Sequence, residues 1–332
     1  MINDSFYESP RENWWQGRID GSEGSAHRWH QQMQLTALND LERKADSQSV
    51  IFLGFSSDEG VLRNLGRTGA VKGPEALRKA CCNLPVHFSS KWQLLDAGNI
   101  ICRDGQLEEA QVNLSAAVSI CLSSGGFPVL LGGGHEITYG HYGGLRRAFA
   151  GRKIGIINFD AHFDLRAPGK NGANSGTGFF QIATDAAKAG DEFFYMALGI
   201  QRSGNTRALF ESASKFGVQF VSAQAITQGI QTEVLRKVSS FIDQLDILYL
   251  SFDLDVFASA YAPGVSAPTA AGLCYDGNFQ SLIELCFKSG KVYSIDIAEL
   301  NPRYDLDNRT ARLGAQIIFD CLLALDANPK IN

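Results

Sequence analysis

The stretch Ile154-Gly155-Ile156-Ile157-Asn158-Phe159-Asp160-Ala161-His162-Phe163-Asp164 decides the fold of this chain. Its first half is a short apolar run, as expected of a strand buried on both faces. Its second half sets Asp160, His162 and Asp164 at every second position. Alternate side chains of an extended chain turn to the same face, so the three can converge. The device recurs where Asp246-Ile247-Leu248-Tyr249-Leu250 runs into Ser251-Phe252-Asp253-Leu254-Asp255. A carboxylate buried at a strand end without a partner is very costly. Neither run carries a Lys or Arg to neutralise it, so the residues point to metal cations.

A third segment, Leu130-Leu131-Gly132-Gly133-Gly134-His135-Glu136, again reads as strand followed by turn, with glycines that permit a tight turn and close backbone approach. The candidate ligands are therefore His135, Asp160, His162, Asp164, Asp253 and Asp255. The four carboxylates carry −4, which two divalent cations would balance. Oxygen-rich coordination with two imidazoles and no thiolate suits Mn²⁺, with Co²⁺, Fe²⁺ or Zn²⁺ as competitors. Two-metal sites of this kind activate an attacking water. Each piece alone has a plainer meaning. A glycine triplet is usually a flexible turn, a lone DxD also marks nucleotide-sugar transferases, and a lone His135 would read as a core histidine. Three strand-end contexts together favour metal. His27, His30, His87 and His141 lack such company and read as surface or packing residues.

Working outward, short apolar runs at Val50–Phe55, Pro128–Leu131, Lys153–Asn158, Phe193–Ile200, Val218–Ser222, Asp246–Phe252 and Lys291–Ile297 read as strands. Helical stretches are expected at Gly73–Cys82, Leu107–Ser123, Asn205–Phe216, Ile230–Leu245, Asn278–Ser289 and Asp307–Ala327. Apolar strands alternating with helices imply an α/β fold with a parallel sheet covered on both faces, and ligands gather at the carboxyl ends of such strands. One large domain over 50–332 is expected, preceded by an irregular, aromatic-rich arm over 1–49 whose Trp14-Trp15-Gln16-Gly17-Arg18 reads as a docking segment. The 332 residues are 45% hydrophobic and 20% charged, with a formal charge of −5 that gives no reason to expect nucleic acid or an anionic membrane as partner. No apolar run approaches the ~20 residues of a membrane helix. Met1–Phe6 lacks the regions of a signal peptide, and the seven cysteines show no CxxC pattern. A cytoplasmic location with free, buried thiols is expected.

With these motifs in view, the chain resembles the ureohydrolase superfamily of arginase and agmatinase, whose members carry GG(G/D)H, DAHxD and SxDxD. The resemblance runs from about Gly54 to Leu323. It implies a three-layer α/β/α sandwich around a mostly parallel, eight-stranded sheet, commonly a homo-oligomer. It also implies two Mn²⁺ per subunit, one held by His135, Asp160, Asp164 and Asp253, the other by Asp160, His162, Asp253 and Asp255. Within the superfamily, the run from Ser294 to Asp305, the following Arg309-Thr310-Ala311-Arg312-Leu313, the pattern from Trp15 to Asp20 and Ser175-Gly176-Thr177 resemble the formimidoylglutamase branch. That branch hydrolyses N-formimidoyl-L-glutamate, in histidine degradation, to L-glutamate and formamide.

The resemblance implies attack by a metal-bridging hydroxide on the formimidoyl carbon. Asp164 would carry the proton to the leaving nitrogen, and Glu299 would pair with the cationic formimidoyl group, a salt bridge to Arg303 or Arg309 being the plainer alternative. Three departures from arginase and agmatinase bear on substrate. Those enzymes place a histidine where Ser175 stands, so no histidine proton shuttle is expected. Arg166 and Arg202 make the pocket more positive than one built for a cationic substrate. Arginine grips carboxylates bidentately, which suits a small dicarboxylate. Ser175 and Thr177 join the expected substrate contacts. The rivals are an amidinohydrolase acting on a guanidino compound, a single-zinc deacetylase-like hydrolase, and a non-catalytic assembly protein that keeps only the fold.

Overall fold

A computed structural model describes residues 2–41, 48–228 and 231–328. The expected helix start at Ile230, and parts of the arm and of the C-terminal end, lie outside the described residues. Ten strands form one sheet: β1 (Tyr7–Glu8), β2 (Met33–Leu35), β3 (Gln48–Ser56), β4 (Trp92–Ile101), β5 (Phe127–Leu131), β6 (Ile154–Phe159), β7 (Phe194–Ile200), β8 (Gln219–Ser222), β9 (Ile247–Asp253) and β10 (Val292–Ala298). Eight of them run parallel in the order β4-β3-β5-β10-β9-β6-β7-β8. The two short strands from the N-terminal segment both pair with β4, β1 antiparallel and β2 parallel.

Alternation along the strands divides the core between the two faces of the sheet. Val50 and Phe52 of β3, Val129 and Leu131 of β5, and Ile157 and Phe159 of β6 pack on one side. They meet apolar residues of helices Gly73–Cys81, Gln231–Asp243, Gly277–Lys288 and Arg309–Asp326. Ile51, Leu53, Leu130 and Ile156 turn to the other side, beneath helices Leu107–Ser123, Ile137–Ala148, Gly178–Ala189 and Arg207–Lys215. The result is the expected three-layer sandwich. No helix among the described residues is long and apolar enough to cross a membrane.

Two elements absent from the expected set have clear physical reasons. β4 carries Asp96, Gly98 and Asn99, which interrupt its apolar pattern although Asp96 is fully buried. It tolerates them because Arg78, also fully buried, grips Asp96 through Nε at 2.6 Å and Nη2 at 2.9 Å. The Trp14 ring lies 4.4 Å from that guanidinium, and Trp15 Nε1 donates to Asp96, so the N-terminal tryptophans are buried against this pair. Helix Ile137–Ala148 contains Gly140, Gly143 and Gly144, which depress helix propensity. Here they allow close packing: a Cβ on Gly144 would lie 2.5 Å from Val118, and one on Gly140 would lie 2.8 Å from the Gln111 carbonyl.

The four central strands β5, β10, β9 and β6 lie side by side, and in the register of the sheet Ala298 stands opposite Asp253 and Phe159 opposite Phe252. Their carboxyl ends therefore open on one short stretch of the sheet edge, where chain order and spatial order diverge.

Candidate metal centre

Each candidate ligand is delivered by one of those strand ends. β5 leads through Gly132-Gly133-Gly134 to His135. The glycines serve close approach: a Cβ on Gly133 would lie 1.8 Å from the Ser57 carbonyl, and one on Gly132 would lie 2.6 Å from that of Ile297. β6 leads to Asp160 and β9 ends at Asp253. Both use the same local turn. Asp160 Oδ1 accepts from the His162 amide at 2.6 Å, and Asp253 Oδ1 accepts from the Asp255 amide at 2.8 Å. In each case one carboxylate oxygen fixes the backbone two residues on and the other turns to the cluster, that of Asp160 while also accepting from Asn158 Nδ2 at 3.0 Å.

The side chains converge. His135 Nδ1 lies 3.2 Å from Asp160 Oδ2, 2.8 Å from Asp164 Oδ2 and 3.2 Å from Asp253 Oδ2. His162 Nδ1 lies 3.1 Å from Asp255 Oδ2 and 3.4 Å from Asp160 Oδ1. Two ligand groups result, His135 with Asp160, Asp164 and Asp253, and Asp160 with His162 and Asp255. Asp160 serves both, through opposite oxygens. The structure gathers Asp253 into the first group.

The chemistry of this donor set fits metal ions. Among the described residues, no Lys or Arg comes within 4.0 Å of these carboxylates. The hydrogen of the Ser251 hydroxyl goes to Asp296 Oδ1 at 2.8 Å, leaving Ser251 Oγ to accept from His135 Nε2 at 2.9 Å. That bond places a proton on Nε2, and the other ring nitrogen, Nδ1, faces three carboxylates. Lone pairs so arranged repel unless a cation stands among them. Asp255 Oδ1 is buried with no hydrogen-bond partner.

The electrostatics agree. Burial, reinforced by Asp255 and Asp160, pushes Asp253 well above the usual carboxylate range. Asp164 and Asp255 are also raised, chiefly by burial. Asp160 is held low, against its burial, by hydrogen bonds from His135 and His162. Asp255 above all drives His162 up to about 12. Without an added cation, the imidazoles take that part.

A cavity of about 110 Å³ opens over the cluster, and Asn64, Arg166, Ser175, Ser266 and Glu299 line it beside the ligands. Glu299 Oε1 accepts from the His135 amide at 2.9 Å, while Oε2 is buried without a partner. Burial and the nearby Glu136 push the Glu299 carboxyl up to about 8. Neither Arg303 nor Arg309 pairs with it: Arg309 donates to the Ala260 carbonyl, and Arg303 lies over the Tyr304 ring. Both Asp164 and Glu299 hold left-handed backbone, at φ 48° and 66°. Such conformations in non-glycine residues concentrate at functional sites.

Arg166 is exposed, forms no ion pair among the described residues, and donates from Nη1 to Asn64 Oδ1 at 3.2 Å. Asn64 Nδ2 in turn donates to Ser175 Oγ at 3.1 Å. Thr177 and Arg202 are not brought to the cavity wall. Thr177 is fully buried and bonded to Asn174 and Gln181, at the start of helix Gly178–Ala189. Arg202 is exposed away from the lining. Sequence reasoning missed Asn64, which follows the short helix Glu59–Arg63 and carries no motif.

The arginase family model matches residues 48–324. A Clostridium tetani formimidoylglutamase is 42% identical over 95% of this chain and 95% of its own. The crystal structure of a Trypanosoma cruzi formiminoglutamase with Mn²⁺ superposes with a TM-score of 0.74 at 28% identity, covering 88% of this chain and 99% of that one. An arginase from Bacillus subtilis shares the fold, with a TM-score of 0.69 at 22% identity over 82% of this chain and 98% of that one.

Proposed function

The chain belongs to the arginase family, and from that premise we propose that it is a binuclear manganese hydrolase converting N-formimidoyl-L-glutamate and water to L-glutamate and formamide. The observation that carries this reading is His135 Nδ1 set among three carboxylates with no Lys or Arg beside them among the described residues. His135, Asp160, Asp164 and Asp253 would hold one ion. Asp160, His162 and Asp255, with Asp253 as a shared ligand, would hold the other. When bound, divalent ions supply Lewis acidity that makes water nucleophilic at neutral pH.

The chain's own residues supply binding, aim and proton movement. Arg166, unpaired at the cavity mouth, grips a substrate carboxylate, and Asn64 and Ser175 hold that guanidinium in place. The free Oε2 of Glu299 faces the formimidoyl group, whose protonated form is a cation. The Asp164 carboxylate takes the proton released as water adds to the formimidoyl carbon and hands it to the departing glutamate nitrogen. Thr177 and Arg202 stay outside these contacts, since neither reaches the cavity wall. Residues 50–332 would form the catalytic unit.

A panel of formimidoylglutamate, formylglutamate, arginine, agmatine and guanidinobutyrate, scored for formamide, ammonia and urea with manganese-loaded protein, tests this. Formamide from formimidoylglutamate is expected. Urea from a guanidino compound would overturn the substrate assignment in favour of an amidinohydrolase, and no product with any substrate would favour a non-catalytic role.

A further inference from the structure

A further histidine, outside the ligand set, lies in a buried polar chain beneath the cluster. His141, on helix Ile137–Ala148, is fully buried, with Nδ1 2.8 Å from Asp296 Oδ2 and Nε2 2.8 Å from Ser294 Oγ. Its ring centroid stands 4.1 Å from that of Tyr249. The Tyr249 hydroxyl donates to the same Asp296 oxygen, and Ser251 donates to the other at 2.8 Å. Asp296, itself fully buried, is therefore enclosed by three donors. The chain links His141, Asp296, Ser251 and His135: donation runs from His135 to Ser251 to Asp296 on one side and from His141 to Asp296 on the other.

We propose that His141 is a positioning residue for one of the two metal sites: acting through Asp296 and Ser251, it holds the His135 ring with Nδ1 aimed at Asp160, Asp164 and Asp253. This rests on reading the cluster as a metal centre. The direction of the chain is what matters. With its donors in place, Asp296 stays a pure acceptor, and the Ser251 hydrogen must point to it. Ser251 can then only accept from His135 Nε2. Remove His141, and Asp296 loses one of its three donors and is freer to turn away from Ser251. An Asp296 that has turned no longer fixes the Ser251 hydrogen, and Ser251 then no longer holds the His135 ring through Nε2. A His135 ring so loosened presents Nδ1 less well to a metal. Outer groups that orient a ligating histidine through its second nitrogen commonly set metal affinity in this way.

The effect should be selective, because His135 belongs to one ligand group and His162 to the other. Full-length protein, stripped of metal and titrated calorimetrically with Mn²⁺, is the test. Ser251→Ala should weaken one of the two ions by roughly 10–100-fold. His141→Ala should weaken the same ion by about tenfold. His141→Asn, which keeps a donor near the Nδ1 position, should recover most of that loss. His141→Ala added to Ser251→Ala should bring no further loss, since the link is already cut. Wild-type affinity for both ions in His141→Ala, or losses that multiply in the double variant, would overturn the relay. Should His141→Ala fail to fold, Tyr249→Phe removes the neighbouring donor while keeping the ring: loss at the same ion supports the relay, and unchanged affinity overturns it. A wild-type protein that takes up no Mn²⁺ would instead sink the metal reading beneath it.

Discussion

Two groups of buried charge occupy the same sheet and solve opposite problems. On β4, Asp96 meets Arg78 in a two-point grip, and Asn99 Oδ1 and the Gly98 carbonyl accept from the same guanidinium. That group carries its own counter-charge and is neutral. At the ends of β5, β6 and β9, Asp160, Asp164, Asp253 and Asp255 have two imidazoles beside them and, among the described residues, no Lys or Arg within 4.0 Å. Buried charge that carries its own counter-charge is architecture. Buried charge that lacks one is a socket.

Breaking the neutral group should give the largest effect on folding. Asp96→Asn leaves Arg78 buried without its counter-charge and should destabilise the protein by about 3–5 kcal/mol in denaturant unfolding. Asp253→Ala should do the reverse. Formamide release should fall more than about 100-fold, beyond what loss of an orienting group causes. The metal-free variant should nevertheless melt higher than metal-free wild type. Asp253 is raised above the unfolded carboxylate range, so at neutral pH its folded form is disfavoured, and alanine removes that burden. Wild-type turnover in this variant would end the metal mechanism.

Manganese itself sharpens the contrast. At about 100 times its dissociation constant, Mn²⁺ should add about 2.7 kcal/mol to wild-type stability. The gain should vanish in Asp253→Ala, as thermal melts with and without chelator would show. Arg166→Ala should raise KM for formimidoylglutamate roughly ten- to a hundredfold, the size of a lost charged hydrogen bond, and leave the melting point alone. An unchanged KM would remove Arg166 from the pocket. At the small end, Arg207→Ala cuts an exposed pair with Glu211 and should shift stability by less than about 0.5 kcal/mol.

The candidate ligands were legible because their signal is local. Asp160, His162 and Asp164, or Asp253 and Asp255, advertise themselves by strand periodicity within a few residues, and the flanking apolar runs show where the sheet lies. What stayed hidden depends on partners far away in the chain. Asp96 reads as a strand breaker until Arg78 is seen to meet it. Helix Ile137–Ala148 is masked by glycines whose purpose is the neighbouring helix Leu107–Ser123. His141 reads as a packing residue, and it is packed, but its Asp296 partner lies 155 positions on. Asn64 joins Arg166 and Ser175 from a loop whose own sequence announces nothing.

The left-handed backbone at Asp164 and Glu299 sets a limit on how robust this protein can be made. Each conformation costs about 1–2 kcal/mol for a residue with a Cβ, and glycine would relieve it. The usual route to a hardier variant is therefore closed at these two positions, because the swap that relaxes the main chain also deletes the carboxylate it aims. Efforts to raise heat tolerance should leave this rim untouched and work on the outer helices, where resilience and turnover do not compete.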